Sequence, residues 1–444
     1  MSNPSEPAAA RLLRYYAWLF AAAGAFFVSA SGLLGVLLDA AARLLPGASP
    51  VPHGGLSLWL GLTGSMMAMI ALLARSLALD PYQPVAWRAL LLSKAVSTFL
   101  FLAFAALSGN TLFLIGAAVD GPILAHLLFL RRALESDPWR PRLPGVGPFY
   151  EVWFAKFNDP ATRTALWLRY TLSRGGGAAT GAVWYVLSDP RLAEPVQGKL
   201  ESDDCALGVS GFSVRVGDSR LEPGRLRGAA GDASWDLSWR DGGVPALGLV
   251  PGLAAALGLT RSDYRSACAL AAFEGTARIA GRDYRFTEAP GSLGHLWGTA
   301  MADNWRWAHA ALRAPDGSPA MLEFLSSRPR LGPFVGPRLS TAFLWFEDRL
   351  YRSDGLMRAL GNRVEGEGPW RFHFDFDGLT AEGECAGDPR LGAELFYDSP
   401  DGRRIRCRNS KTGSLSVRLS ADGRSAQTLA TEDAASVEEA LETR

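Results

Sequence analysis

Apolar residues are spaced in two different ways along this chain. Up to residue 132 they come in long unbroken runs; from about 149 onward they alternate with polar residues over short stretches. Four runs stand out: 15–38, uncharged until Asp39; 56–74, ending at Arg75; 89–107, with Lys94 near one end; and 111–130, stopped by Arg131 and Arg132. Each is about the length that crosses ~30 Å of hydrocarbon at 1.5 Å per residue. They predict four transmembrane helices. The first run is too long, and too soon followed by further spans, for a cleaved signal peptide. Gly32, Gly35, Gly61 and Gly64 would let helices approach closely.

The later part alternates with a period of two, the signature of strands with one apolar face. Trp235, Leu237 and Trp239 share one such face. Stretches 149–157 and 165–172 flank Asn158-Asp-Pro-Ala-Thr as a hairpin, and 181–187 follows after Gly175-Gly-Gly. A hairpin about Gly281-Arg282 comes next, then strands at 320–325, 340–346, 370–376, 393–397, 404–407 and 415–419. Ser399-Pro-Asp-Gly402 and Ala421-Asp-Gly423 punctuate the last of them. Residues 244–270 lack the alternation and read as a loop with a short helix over one barrel mouth.

Many short strands between turns predict a barrel or sandwich, and the stretch is long for one eight-stranded barrel. The expected architecture is therefore multidomain, a four-helix transmembrane bundle followed by all-β tandem lipocalin-like barrels. Its parts are the bundle (1–132), a Pro/Gly linker (133–148), two barrels (149–290 and 291–428) and an acidic tail (429–444), frayed or briefly helical.

Charge adds orientation. Arg11 and Arg14 precede the first run, Arg75, Arg88 and Lys94 surround the second loop, and Arg131, Arg132, Arg140 and Arg142 follow the fourth run. The first loop carries only Arg43. The positive-inside rule then puts both ends, and everything after 132, on the cytoplasmic side of the cytoplasmic membrane. A formal net charge of +1 argues against nucleic acid as a partner, and the β part reads as a poor holder of acidic ligands. Of 45 basic residues only four are lysine (Lys94, Lys156, Lys199 and Lys411), a bias that suggests a GC-rich genome. Cys205, Cys268, Cys385 and Cys407 form no C-x-x-C pair, which argues against a zinc site; Cys385 and Cys407 could be strand neighbours. No G-x-S-x-G elbow, P-loop, dinucleotide fingerprint or H-E-x-x-H is present, and no cofactor or metal is expected.

Two places carry candidate chemistry. Asp120 lies in the fourth apolar run, where a carboxylate is costly, and His126 follows about a turn and a half later. They are either a functional polar lining or a packing pair. The second place is Gly294-His-Leu-Trp-Gly298 with Asp303-Asn-Trp-Arg-Trp-Ala-His309. It holds two of five histidines and three of fourteen tryptophans, with Asp303 between the histidines. Such a cluster is either a satisfied buried network or an acid–base site in an apolar pocket.

This second place resembles the His-x-Trp-Gly signature of the carotenoid 1,2-hydratase (hydroxyneurosporene synthase) and tocopherol-cyclase-like lipocalin family. Tyr150-Glu-Val-Trp-Phe-Ala-Lys-Phe-Asn-Asp-Pro and Leu166-Trp-Leu-Arg-Tyr-Thr-Leu resemble that family's opening hairpin, and the likeness spans about residues 148–425. The resemblance implies tandem barrels and a cofactor-free reaction on an apolar isoprenoid. An isolated C=C bond is protonated, and water or a substrate hydroxyl captures the cation. It points to His295 and Trp297 as the matched His-x-Trp pair. Trp153, Tyr170, Trp305, Trp307 and His309 join Trp297 as expected substrate contacts. The family's acid sits in an aromatic–acidic pattern on a following strand, which Ala-Met-Leu-Glu323-Phe does not match. Glu323 and Asp303 are therefore acid candidates on their own chemistry. Two other readings remain: a membrane-tethered carrier of an apolar lipid, and a bundle acting through Asp120 and His126.

Overall fold

The computed structural model describes residues 5–442 apart from 51–55, 82, 136, 143–146, 176, 209–211, 253, 255–259, 332–333 and 422–424. Part of the linker, residues 253 and 255–259 of the loop expected at 244–270, the middle of the Gly175 run and the turn at 422–423 therefore fall outside the described residues; the described part of that loop differs from the expectation in forming the strand Leu247–Gly248 and the start of Ser262–Ile279. The chain forms two units, the first ending at Arg140 and the second starting at Pro141.

In the first unit the helices are Ser5–Ser29, Ser31–Leu44, Leu56–Leu79, Pro84–Ser108 and Phe113–Glu135. Four of them are long and apolar enough to cross a membrane: Ala9–Ser29, Leu58–Leu79, Val85–Ser108 and Phe113–Leu134. The first apolar run is not one span. It breaks at Ala30, which leaves helical geometry (φ −127°, ψ 35°) next to Ser29, whose hydroxyl bonds back to the Ala25 carbonyl (2.7 Å). A serine bonding its own helix backbone in this way favours bending or ending it. Large side chains such as Trp18 and Phe99 remain exposed around the bundle, as a lipid-facing surface requires. Close approach uses Gly64, where an added Cβ would lie 2.4 Å from Val28; Gly32 and Gly61 face open space.

The second unit consists of two antiparallel, barrel-like sheets. The first runs in the order Val196–Ser202, Thr180–Ser188, Thr164–Arg174, Phe149–Asp159, Arg282–Gly298, Ser262–Ile279 and Ala233–Asp241, then four shorter strands back to Cys205–Leu207. The second sheet runs Arg349–Ser353, Leu339–Phe346, Pro319–Arg328, Asn304–Arg313, Gln427–Glu442, Arg404–Ser420, Leu379–Ala386, Trp370–Phe376 and Arg363–Glu365. Its edges are drawn together by Ser353, whose hydroxyl donates to the Asp375 carbonyl (2.7 Å), and by Asn362, whose amide donates to the Ser340 carbonyl (2.8 Å).

Two boundaries differ from those expected. The strand Arg282–Gly298 crosses position 290 and belongs wholly to the first sheet, so the second begins at Asn304. The acidic end is no tail: Gln427–Glu442 is a central strand paired with Asn304–Arg313 and Arg404–Ser420. Its glutamates fall on both faces: Glu439, on the side of Val437, is half-buried, and Glu438, on the side of Ala440, pairs with the buried Lys411. All four cysteines are free; Cys385 pairs across the ladder with Leu415, and Cys407 with Ala440 and Leu395.

The strands nearest the middle are buried on both faces. Phe149–Asp159 is buried at every position, although a half-exposed strand would alternate. The register explains it. In the second sheet Ala308, Ala310, Leu322, Phe324, Ala342 and Leu344 fill the barrel interior. Their neighbours Trp307, Met321 and Phe343 point the other way, into a second core shared with Tyr150, Val152, Phe154 and Trp167 of the first sheet. The two sheets thus pack face to face through their outer surfaces.

Candidate active site between the two sheets

A cavity of about 120 Å³ lies in that shared layer, rather than inside either barrel. Val152, Phe154, Leu249, Leu296 and Leu325 give it apolar walls, and the rings of Tyr264, Trp305 and Trp307 line it. Phe154 and Tyr264 stack (6.1 Å, 11°) while Trp307 meets Phe154 edge-on (5.7 Å, 83°). The glycine before His295 makes room for this: a Cβ on Gly294 would lie 2.4 Å from the Phe154 ring and 2.9 Å from Tyr264.

Side chains on one face of a strand recur every second residue. Two residues deeper along each lining strand, chemistry changes at the same level. Phe154 is followed by Lys156, Tyr264 by Ser266, Trp307 by His309, Leu325 by Glu323, and Glu438 by Ser436. All five deeper residues are buried. His309 stands directly across the ladder from Glu323 on one side and Ser436 on the other. Behind the cavity's aromatic walls there is therefore a buried polar floor, none of whose five residues lines the cavity itself.

Glu323 is the centre of the floor. Its Oε1 accepts from the Tyr264 hydroxyl (2.8 Å) and from Trp307 Nε1 (2.9 Å), while Oε2 has no hydrogen-bond partner. Burial raises its pKa, opposed by the polar groups of Ser266, Trp307 and Tyr264 and by the Lys156 ammonium. Burial and the neighbouring Lys411 charge lower the Lys156 pKa to about 7, with Glu323 opposing. Lys411 Nζ bonds Glu438 Oε1 (2.7 Å), which also accepts from Asn409 Nδ2 (2.8 Å). His309 Nε2 donates to the Ala269 carbonyl (2.7 Å), which leaves Nδ1 as a lone pair without a partner. Burial, then the Lys156 charge, holds the His309 pKa well below the usual histidine range. The floor thus combines an acid that resists ionisation with a neutral imidazole opposite it.

The other expected residues lie elsewhere. His295 and Trp297 flank Leu296 and so project from the opposite face, away from the cavity that Leu296 lines. His295 Nε2 pairs with Glu151 Oε1 (2.8 Å), and its ring stacks on Trp153 (4.8 Å, 9°) beside Trp297 (4.6 Å). Trp297 in turn lies under Arg142 (5.0 Å). Tyr170 is also on this inner face, donating to the Arg220 carbonyl (3.2 Å) and accepting from Trp235 Nε1 (3.2 Å). Asp303 is half-buried where the chain passes between sheets, accepts weakly from Asn304 (3.4 Å), and is not among the cavity-lining residues. Trp305 does line the cavity. In the bundle Asp120 and His126 have separate partners. Asp120 takes Lys94 Nζ (2.8 Å) and the Ser97 hydroxyl, and His126 Nδ1 takes the Tyr16 hydroxyl (2.6 Å).

Lys156, Arg169, Tyr264, Tyr397, Lys411 and Glu438 were absent from the sequence expectations. A signal existed for the lysines. Three of the chain's four, Lys94, Lys156 and Lys411, are almost fully buried.

No family model matches the chain. An uncharacterized protein of Mycobacterium tuberculosis, found in two strains, is 26% identical over 297 residues, covering 63% of this chain and 84% of its own length. Among solved structures, one assigned to AttH from Nitrosomonas europaea is 14% identical with a TM-score of 0.42, over 68% of this chain and 99% of its own. Kievitone hydratase from Nectria haematococca is 10% identical with a TM-score of 0.42, over 67% of this chain and 89% of its own. CghA is 11% identical with a TM-score of 0.47, over 69% and 95%.

Proposed function

We propose that the protein is a membrane-anchored, cofactor-independent hydratase or cyclase of an apolar isoprenoid such as a carotenoid, polyprenoid or prenylated quinone. The observation that carries this reading is the buried Glu323 carboxyl, bonded through one oxygen only, behind the aromatic wall of an apolar cavity. Glu323 delivers a proton from Oε2 to one carbon of the double bond. Tyr264 and Trp307, already donating to Oε1, hold the carboxylate that results. Aromatic faces stabilise the tertiary cation. In hydration, water attacks that cation and loses its proton to His309 Nδ1, from which the proton returns to Glu323 across the ladder. A cyclase uses a substrate hydroxyl in place of water. The sequence resemblance supports the reaction class, and its His-x-Trp pair takes a positioning role here because it faces the first barrel.

Incubating the full-length protein in H₂¹⁸O with acyclic carotenoids and polyprenols tests this. We expect an alcohol carrying one ¹⁸O, or a cyclised isomer. If solvent extraction recovers a bound isoprenoid and no product forms from it, the protein is a carrier. Four helices long and apolar enough to cross a membrane support anchoring. Reporters fused after Arg142 and at the C-terminus should both show cytoplasmic activity. Periplasmic reporter activity at either position would reverse the orientation.

A further inference from the structure

The same cavity contains a cation with no counter-charge. Arg169 lines it and is almost fully buried, on the strand Thr164–Arg174, directly across the ladder from Phe154. Its Nε donates to the Thr171 hydroxyl (3.0 Å), and its guanidinium lies 4.0 Å from the Tyr397 ring centroid. Among the described residues no carboxylate forms an ion pair with it. Arg261, which lines the same cavity, does have one, at 3.8 Å from Asp401. The Tyr397 hydroxyl, also at the cavity and buried, has no hydrogen-bond partner. Lys156 and Lys411 lie in the neighbouring floor, where Glu438 neutralises only Lys411. Burying a guanidinium is costly unless something anionic pairs with it, and its planar fork suits a carboxylate or phosphate.

We infer that the ligand is an amphiphile: an apolar chain with an anionic head group, a carboxylate or phosphate, held by Arg169 and the Tyr397 hydroxyl. This rests on the cavity reading above and narrows its isoprenoid to one that carries an acid group, which a neutral carotenoid or quinone lacks. It departs from the expectation that the β part is a poor holder of acidic ligands. The net charge of the chain could not reveal it, because the charge that matters is one arginine in a closed space. Packing on the Tyr397 ring would explain a stacked arginine, but not one buried without an ion-pair partner among the described residues.

The test uses full-length protein in lipid nanodiscs with a diazirine-tagged palmitic acid and its methyl ester. Crosslinking to cavity peptides, those bearing Leu296 or Trp305, is normalised to crosslinking on the apolar helices, which reports the probe concentration in the bilayer. The wild type should favour the acid over the ester by at least ~10-fold, as charge-assisted hydrogen bonds imply. Arg169→Gln should bring that ratio near one while the ester still labels the cavity, which shows an intact fold. Arg169→Lys should retain part of the preference, and Glu323→Gln all of it. Equal labelling by acid and ester in the wild type overturns the proposal but leaves the cavity reading standing. So does a preference unchanged in Arg169→Gln. Cavity labelling by neither probe overturns both.

Discussion

Glu323→Gln should reduce product formation by at least ~10²-fold while the protein still retains its isoprenoid, because general acid catalysis contributes about 10²–10⁴. The substitution keeps the shape of the side chain and leaves an oxygen to accept from Tyr264 and Trp307. It removes only the proton. Asp303→Asn, at a half-buried position away from the cavity lining, should leave turnover within a few-fold of wild type. A companion effect on stability fixes the sign of the Glu323 shift. Its folded pKa is raised above the ordinary 4.5. The stability it contributes is therefore fully present below that ordinary value and is lost as pH rises through the folded one. Glu323→Gln should consequently gain stability relative to wild type as pH rises through that window. Thermal unfolding against pH reads this directly, and a difference that does not change with pH would contradict the shift.

Lys411→Met should be the most damaging substitution for folding. Lys411 is wholly buried and its ammonium bonds Glu438, so removing it leaves a carboxylate without its counter-charge in the shared layer. Breaking one side of such a pair costs about 3–5 kcal/mol. The double substitution Lys411→Met with Glu438→Leu removes both charges and should recover much of that loss. Denaturant unfolding of the two variants checks it. Equal stability of the single and double variants would mean that the pair is solvated and that this side of the floor is open to water.

Period and length were enough to read the class of fold. Long apolar runs give helices that can cross a membrane, and alternation such as Trp235, Leu237 and Trp239 gives strands with one buried face. Pairing was not legible. Nothing local to 429–442 shows that this acidic stretch is a strand, with Glu438 paired to a buried lysine, until Asn304–Arg313 and Arg404–Ser420 are placed on either side. The site was legible in part. Glu323, Trp305, Trp307 and His309 lie at or behind one cavity wall, and each interrupts an apolar stretch with a group that needs a partner. His295 attracted attention for the same reason, but it sits one residue out of phase with the cavity face and finds Glu151 instead. A one-residue offset on a strand reverses the face, and no motif states which face is which. The lysines carried information that composition disguised. In a chain that uses arginine almost everywhere else, Lys156 and Lys411 occupy positions where a compact, fully buried ammonium meets its neighbours.

The account stands on the protonation state of Glu323. Infrared difference spectroscopy of the full-length protein against Glu323→Gln, titrated from pH 4 to pH 8, measures it without knowing the ligand. We predict a protonated-carboxyl band that persists above pH 4.5, the ordinary value for this group, and is missing from the variant. A wild type whose Glu323 band has already become that of a carboxylate near pH 4.5 would contradict the acid role.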